Sequence, residues 1–215
     1  MNNLDWRIIA LQLPGILIGF TIHEFAHAFL AVKMGDDTPI YENRYTLNPF
    51  RHIDFFGLIL IIFAGIGWAK PVHFNPNNFK NPRRDEILVS VAGPLTNFIF
   101  GILMTFVFIY LSKIQSGAST IEPYQSVILL IIYFTALTNL ALSIFNLLPI
   151  PPLDGSHVLL SLIPDRYYTV KYNLLQYGSL VLIAVILIGN FAGKDILPIY
   201  KWANSFLTIM LKSLG

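Results

Sequence analysis

IIALQLPGILIGFTIHEFAHAFLAV, residues 8–32, decides the fold. Ile8 to Phe20 carries no charge, and the apolar run continues beyond the motif through Ala28-Phe29-Leu30-Ala31-Val32. As a helix rising about 1.5 Å per residue it is long enough to cross a hydrocarbon core of about 30 Å. Three ionisable side chains inside such a helix are costly and therefore point to function. His23-Glu24-Phe25-Ala26-His27 puts two imidazoles one turn apart on one helix face. That spacing suits two ligands of a zinc ion, with the intervening Glu able to reach a metal-bound water.

The rest of the chain agrees with a bilayer setting. Of its 215 residues 55% are hydrophobic and 12% charged, about half the charged content of a soluble domain. The reading is an all-α polytopic membrane protein. A net charge of +2 gives no electrostatic case for nucleic acid. Cysteine is absent, which excludes disulfides, thiolate ligands and a cysteine nucleophile, so any zinc site must use His, Asp or Glu. Residues 1–22 are not read as a cleavable leader. Asp5 and Arg7 cancel, no A-x-A-like site follows, and the apolar run does not stop.

Apolar segments lie at about 8–32, 55–68, 87–111, 124–148, 173–191 and 197–213, which predicts five or six transmembrane helices. The segment 55–68 is short, holds Gly57, Gly65 and Gly67, and ends at Lys70-Pro71. It is expected to re-enter as part of a cytoplasmic-side cap over 33–84 rather than to cross. With that choice Lys33, Arg44, Arg51, Lys70, Lys80, Arg83, Arg84, Arg166, Lys171 and Lys212 fall on one side. Arg7, Lys113, Lys194 and Lys201 fall on the other, ten against four. The positive-inside rule puts the ten in the cytoplasm and the N-terminus outside. Ser112 to Pro123 reads as a short external loop. The whole of 1–215 is expected to be one domain, a core at about 8–160 with accessory helices at about 173–213.

A catalytic zinc takes three protein ligands and leaves one position open. The third ligand is expected from Asp154, in Asn146-Leu147-Leu148-Pro149-Ile150-Pro151-Pro152-Leu153-Asp154-Gly155, where three prolines unwind the chain after an apolar span. Gly155 is expected to give the backbone freedom beside that carboxylate. The alternative for Asp154 is an N-cap ahead of Ser156-His157.

Together, HEFAH on an early span and N-x-x-P-x-P-x-L-D-G after a later one resemble the site-2 protease family of intramembrane zinc metalloproteases. Val91-Ala92-Gly93-Pro94-Leu95-Thr96-Asn97 resembles that family's middle motif. Gly67-Trp68-Ala69-Lys70-Pro71-Val72 is similar to a segment of its short prokaryotic members. The resemblance covers residues about 15 to 160, and it implies one Zn2+ per chain held by His23, His27 and Asp154. Glu24 would be the general base and then the acid. Asn146 and Asn97 would be candidates for oxyanion or substrate-backbone contacts. A transmembrane protein would be the substrate, cut at the cytoplasmic side of a prokaryotic cell membrane. Neither a PDZ domain nor a nucleotide-sensing domain, both found in other members, fits between these segments.

The plainer readings are interhelical hydrogen bonding for Asn97 and Asn146, close packing or a kink for Gly93-Pro94, and a positive-inside anchor for Lys70. His52 and His73 read as interfacial histidines, and His157 stays open between a relay group and the same. Two other functions compete. A metal-ion transporter would want several ligand clusters along a path. A silent scaffold would have no use for Glu24.

Overall fold

The computed structural model describes residues 6–64, 67–116, 123–192 and 196–214. Gly65, Lys194 and residues 117–122 of the loop expected at Ser112–Pro123 lie outside them, while 112–116 are helical and extend α5. In order, the helices are α1 (Trp6–Met34), the short α2 (Thr38–Tyr41), α3 (Pro49–His52) and α4 (Phe55–Ala64), then α5 (Pro82–Ser116), α6 (Pro123–Asn146), α7 (Asp154–Leu162), α8 (Tyr168–Ala192) and α9 (Ile199–Leu214). Among the described residues there is no strand, and one isolated antiparallel bridge pairs Ile53 with Ala69. The protein is an all-α polytopic membrane protein. Among the described residues four helices, α1, α5, α6 and α8, are long and apolar enough to cross a bilayer.

The remaining two apolar segments are shorter. At 10 residues α4 reaches about 15 Å, half a hydrocarbon core, so it cannot cross. Phe55, Phe56 and Phe63 on it are exposed. α9 has 16 residues, about 24 Å.

The bundle centre is α1, α5 and α6. Asn139 of α6 donates its amide to the Gly15 carbonyl at 3.2 Å. A Cβ on Gly15 would lie 2.7 Å from the Thr135 Cα, and one on Gly19 2.6 Å from the Asn139 Oδ1. Small residues one turn apart thus let two backbones approach, and a buried polar side chain ties them. Ala136, Leu137, Leu140 and Ala141 on α6 pack with Ala203 and Leu207 of α9.

α1 ends at Met34, two residues past the apolar run, and the cap is pinned there. The buried Asp36 accepts from the Thr38 hydroxyl at 2.6 Å, the Asn78 amide at 2.7 Å and the Asn75 N–H at 2.7 Å. α5 begins earlier than its apolar run, because Pro82 suits a first helical turn and Asp85 accepts from the Asn81 N–H at 2.9 Å.

Contacts fix which helix ends share a side. Arg83, at the start of α5, pairs with Asp165, just before α8, at 2.6 Å. The charge count needs one correction at α9. This helix runs antiparallel to α6, with Tyr133 donating to Asn204 at 2.9 Å, and Leu214 ends 3.5 Å from the Lys113 Nζ. Lys212 therefore belongs with Lys113 at the far end of α5, not with the ten, which leaves nine on the side where α1 ends. The count assumed that each apolar segment after 55–68 alternates sides, and a 16-residue helix packed along α6 need not.

Candidate metal centre

α1 supplies His23 and His27 on the face turned to α5 and α7, both buried, with ring centroids 4.7 Å apart. The third group arrives from the unwound stretch after α6. Asp154 is the first residue of α7, and its Oδ2 lies 3.0 Å from His23 Nε2 and 3.4 Å from His27 Nε2. The ligand atoms of the three all lie within 4.8 Å of one another. The N-cap alternative does not hold, since Leu153 is the cap residue and Asp154 turns its carboxylate to the imidazoles. Gly155 serves differently from its expected role. A Cβ there would lie 2.6 Å from the Leu148 carbonyl oxygen, so Gly155 lets α7 start hard against the unwound segment.

The donor set fits a cation. Asp154 Oδ2 is buried and has no hydrogen-bond partner, although two ring nitrogens face it at contact distance. His27 Nδ1 is 2.8 Å from the Val89 carbonyl, which can only accept. Nδ1 of His27 therefore carries a proton, and in the neutral ring its Nε2 turns a lone pair towards another lone pair on Asp154. That opposition is relieved when a positive charge sits among the three atoms. Nitrogen or oxygen ligands about 2.0–2.1 Å from a tetrahedral zinc stand about 3.3 Å apart, close to the observed 3.0 and 3.4 Å.

The other predicted residues divide. Glu24 is buried beside the pair, and its Oε2 accepts the Val72 N–H at 2.8 Å. Asn97 is fully buried, with its amide nitrogen 3.2 Å from His23 Nδ1. Asn146, half-buried at the end of α6, donates to the Leu142 carbonyl at 3.1 Å. His52 is buried against the Thr46 carbonyl, and His73 pairs with Glu42 in an exposed position.

Several contributors carry no signal in residue type. Val72 and Val89 act through backbone N–H and C=O groups, which any non-proline residue has. Gly93 lies in the stretch read as close packing, and here its neighbours are the imidazoles. A Cβ on it would fall 2.7 Å from His23 Nε2 and closer still to His27 Nε2. Glu86 on α5 accepts the Ser161 hydroxyl at 2.8 Å and faces His157 Nδ1 at 3.4 Å. It thereby clasps α5 to the helix that starts at Asp154. Periodicity could have hinted at this, because Asp154, His157 and Ser161 are spaced by three and four.

The family model of Peptidase family M50 matches residues 12–188. The chain belongs to peptidase family M50. YwhC of Bacillus subtilis, which bears a zinc metalloprotease name, is 38% identical over 170 residues, covering 79% of this chain and 77% of that protein. Rip2 of Mycolicibacterium smegmatis, named likewise, is 27% identical over 185 residues, 84% of this chain and 68% of its own. The zinc metalloprotease MJ0392 of Methanocaldococcus jannaschii is 24% identical over 170 residues, 79% of this chain and 38% of its own. No solved structure matches the chain. Membership of M50 makes this protein a zinc metalloprotease, with His23, His27 and Asp154 a group able to hold one metal ion.

Proposed function

We propose that this M50 protease hydrolyses peptide bonds in or beside transmembrane helices of membrane proteins. The observation that carries the reading is the position of the ligand cluster on α1. His27 and His23 lie 7 and 11 residues before Met34, about 10–17 Å from the helix end, inside a helix long enough to span. A soluble substrate has no ready route to that depth. A transmembrane segment that has locally unwound does, because a closed helix keeps its carbonyls bonded.

In this reading His23, His27 and Asp154 hold the zinc. Bound there, zinc supplies Lewis acidity towards the scissile carbonyl and towards water. Glu24 takes the proton of the attacking water and passes it to the leaving amine. The Val72 N–H holds Glu24 Oε2, which leaves Oε1 to do this work. Asn146, at the lip of the unwound segment, is the better placed of the two asparagines to meet a substrate backbone, being half-exposed where Asn97 is sealed. The region 8–160 forms the catalytic core, and α8 and α9 are accessory. Nine of the fourteen basic residues on the side where α1 ends favour a cytoplasmic active site in a prokaryotic cell membrane.

The transporter reading finds less support, since no second group of three or more His, Asp or Glu ligands occurs among the described residues. The deciding experiment reconstitutes the protein in liposomes with a panel of single-span substrates. Zinc-dependent cuts mapped by mass spectrometry within or next to the spans support the reading. Cleavage confined to soluble peptides, with every span intact, overturns it.

A further inference from the structure

The two histidines are held by different kinds of group. His27 Nδ1 meets a backbone carbonyl, which fixes its proton on Nδ1 and leaves Nε2 free. His23 Nδ1 meets a side-chain amide that can present either of two atoms. In the arrangement observed, the Asn97 nitrogen faces His23 Nδ1 at 3.2 Å and Asn97 Oδ1 is buried with no partner. An NH2 group only donates, so this setting makes Nδ1 the acceptor and puts the ring proton on Nε2. That is the nitrogen 3.0 Å from Asp154 Oδ2, where a ligand must offer a lone pair.

Turning the amide end for end reverses the assignment without changing its shape. Oδ1 then accepts from Nδ1–H, and Nε2 is left with its lone pair. One amide atom is unpaired in either setting, and the observed one lets His23 Nε2–H face Asp154 Oδ2 at 3.0 Å. A cation at the cluster selects the other, because it can use only the tautomer with a lone pair on Nε2. We propose that Asn97 is a positioning residue for His23, presenting Oδ1 to Nδ1–H and so fixing the metal-binding tautomer and ring plane, as the Val89 carbonyl does for His27. Its complete burial leaves no surface for a substrate, which separates this role from an oxyanion contact. The inference rests on the ligand set proposed above. Partners of this kind, acting behind a ligand, typically change metal affinity by about 10- to 100-fold.

The test is zinc affinity by chelator competition in detergent, with the cobalt(II) visible spectrum as a second readout and circular dichroism as the folding control. Asn97→Leu keeps the shape and removes the acceptor, and it should weaken zinc about 10- to 100-fold and alter the cobalt spectrum. Asn97→Asp always presents an oxygen and should stay within about threefold of wild type. Asn97→Ser, uncharged and able to accept directly or through a water, covers the case in which a buried carboxylate prevents folding, and it should bind better than the Leu variant. Unchanged zinc affinity in Asn97→Leu with slower hydrolysis overturns the proposal in favour of a substrate contact. Equal loss in all three variants overturns it in favour of plain packing. A wild type that binds no zinc overturns the ligand set itself, which is a separate result.

Discussion

Gly93→Ala is the sharpest perturbation available, because two effects of known size oppose each other there. Gly93 sits inside α5, and replacing glycine by alanine in a helix interior normally stabilises by about 0.5–1 kcal/mol. Here the added methyl carbon would stand 2.7 Å from His23 Nε2 and 2.8 Å from His23 Cδ2, and nearer still to His27 Nε2. Ordinary separation between such atoms is about 3.5 Å, so the overlap is most of an ångström on two rings at once. Neither ring can retreat freely, since His27 is tied to the Val89 carbonyl and His23 abuts Asn97. Overpacking of this kind costs about 1–3 kcal/mol, which exceeds the helix gain. The methyl group also points at the nitrogens that face Asp154, so the loss should be concentrated in metal binding. A displacement of both imidazoles should weaken zinc at least about 100-fold, equivalent to about 2.7 kcal/mol. The assay is chelator competition on purified protein, with thermal unfolding of the metal-free form measured in parallel. Wild-type zinc affinity in Gly93→Ala would refute the reasoning, because it would mean that α5 does not close this side of the site.

Glu24→Gln should retain about one zinc per chain and lose about 10²- to 10⁴-fold in peptide hydrolysis, measured on any substrate that the liposome panel yields. Removing the metal should lower the unfolding temperature, and restoring zinc to about 100 times its Kd should return about 2.7 kcal/mol. Asp154→Asn should show little of this response. Asp36 gives a pH prediction: burial works to raise its pKa, but bonds from the Thr38 and Asn78 side chains and the Asn75 and Thr38 N–H groups outweigh burial and hold it below the ordinary 3.8. Its contribution is therefore full above about pH 4 and is lost as pH falls through the lower folded value. Asp36→Asn should cost about 1–3 kcal/mol at neutral pH and flatten the acid limb of a denaturant titration.

The metal trio was legible because its signal lies in residue type and spacing. A four-residue interval on a helix admits one geometry, and a proline-broken segment after an apolar span has few places to put a carboxylate. The length of α1 and the shortness of α4 were legible for a similar reason, as both follow from unbroken apolar length. α5 was harder at its start. Arg83, Arg84, Asp85 and Glu86 look like a cytoplasmic loop in a hydropathy reading, yet they form helical turns because Pro82 and the Asp85–Asn81 bond begin the helix there. The side on which α9 ends was misread, since alternation of spans is a rule about crossing and α9 is held by packing along α6.

What the sequence hides most completely is α5's hold on the site. From one helix, the Val89 carbonyl fixes His27, the Asn97 amide faces His23, bare Gly93 makes room for both rings, and Glu86 holds α7 and with it Asp154. None of these residues is a ligand type in a ligand spacing, apart from Glu86, which points away to His157 and Ser161. The ligands themselves come from two segments 127 residues apart, His27 and Asp154, that share no secondary structure. A tetrahedral metal needs its ligand atoms placed to within a few tenths of an ångström, and two unconnected segments cannot supply that unaided. The third helix supplies it by touching each ligand, or the helix that carries it, through a separate contact. Activity should therefore be more sensitive to changes on the inner face of α5 than to equal changes on α8. α8 is exposed along most of its length, and the turn just before it is held to Arg83 through Asp165.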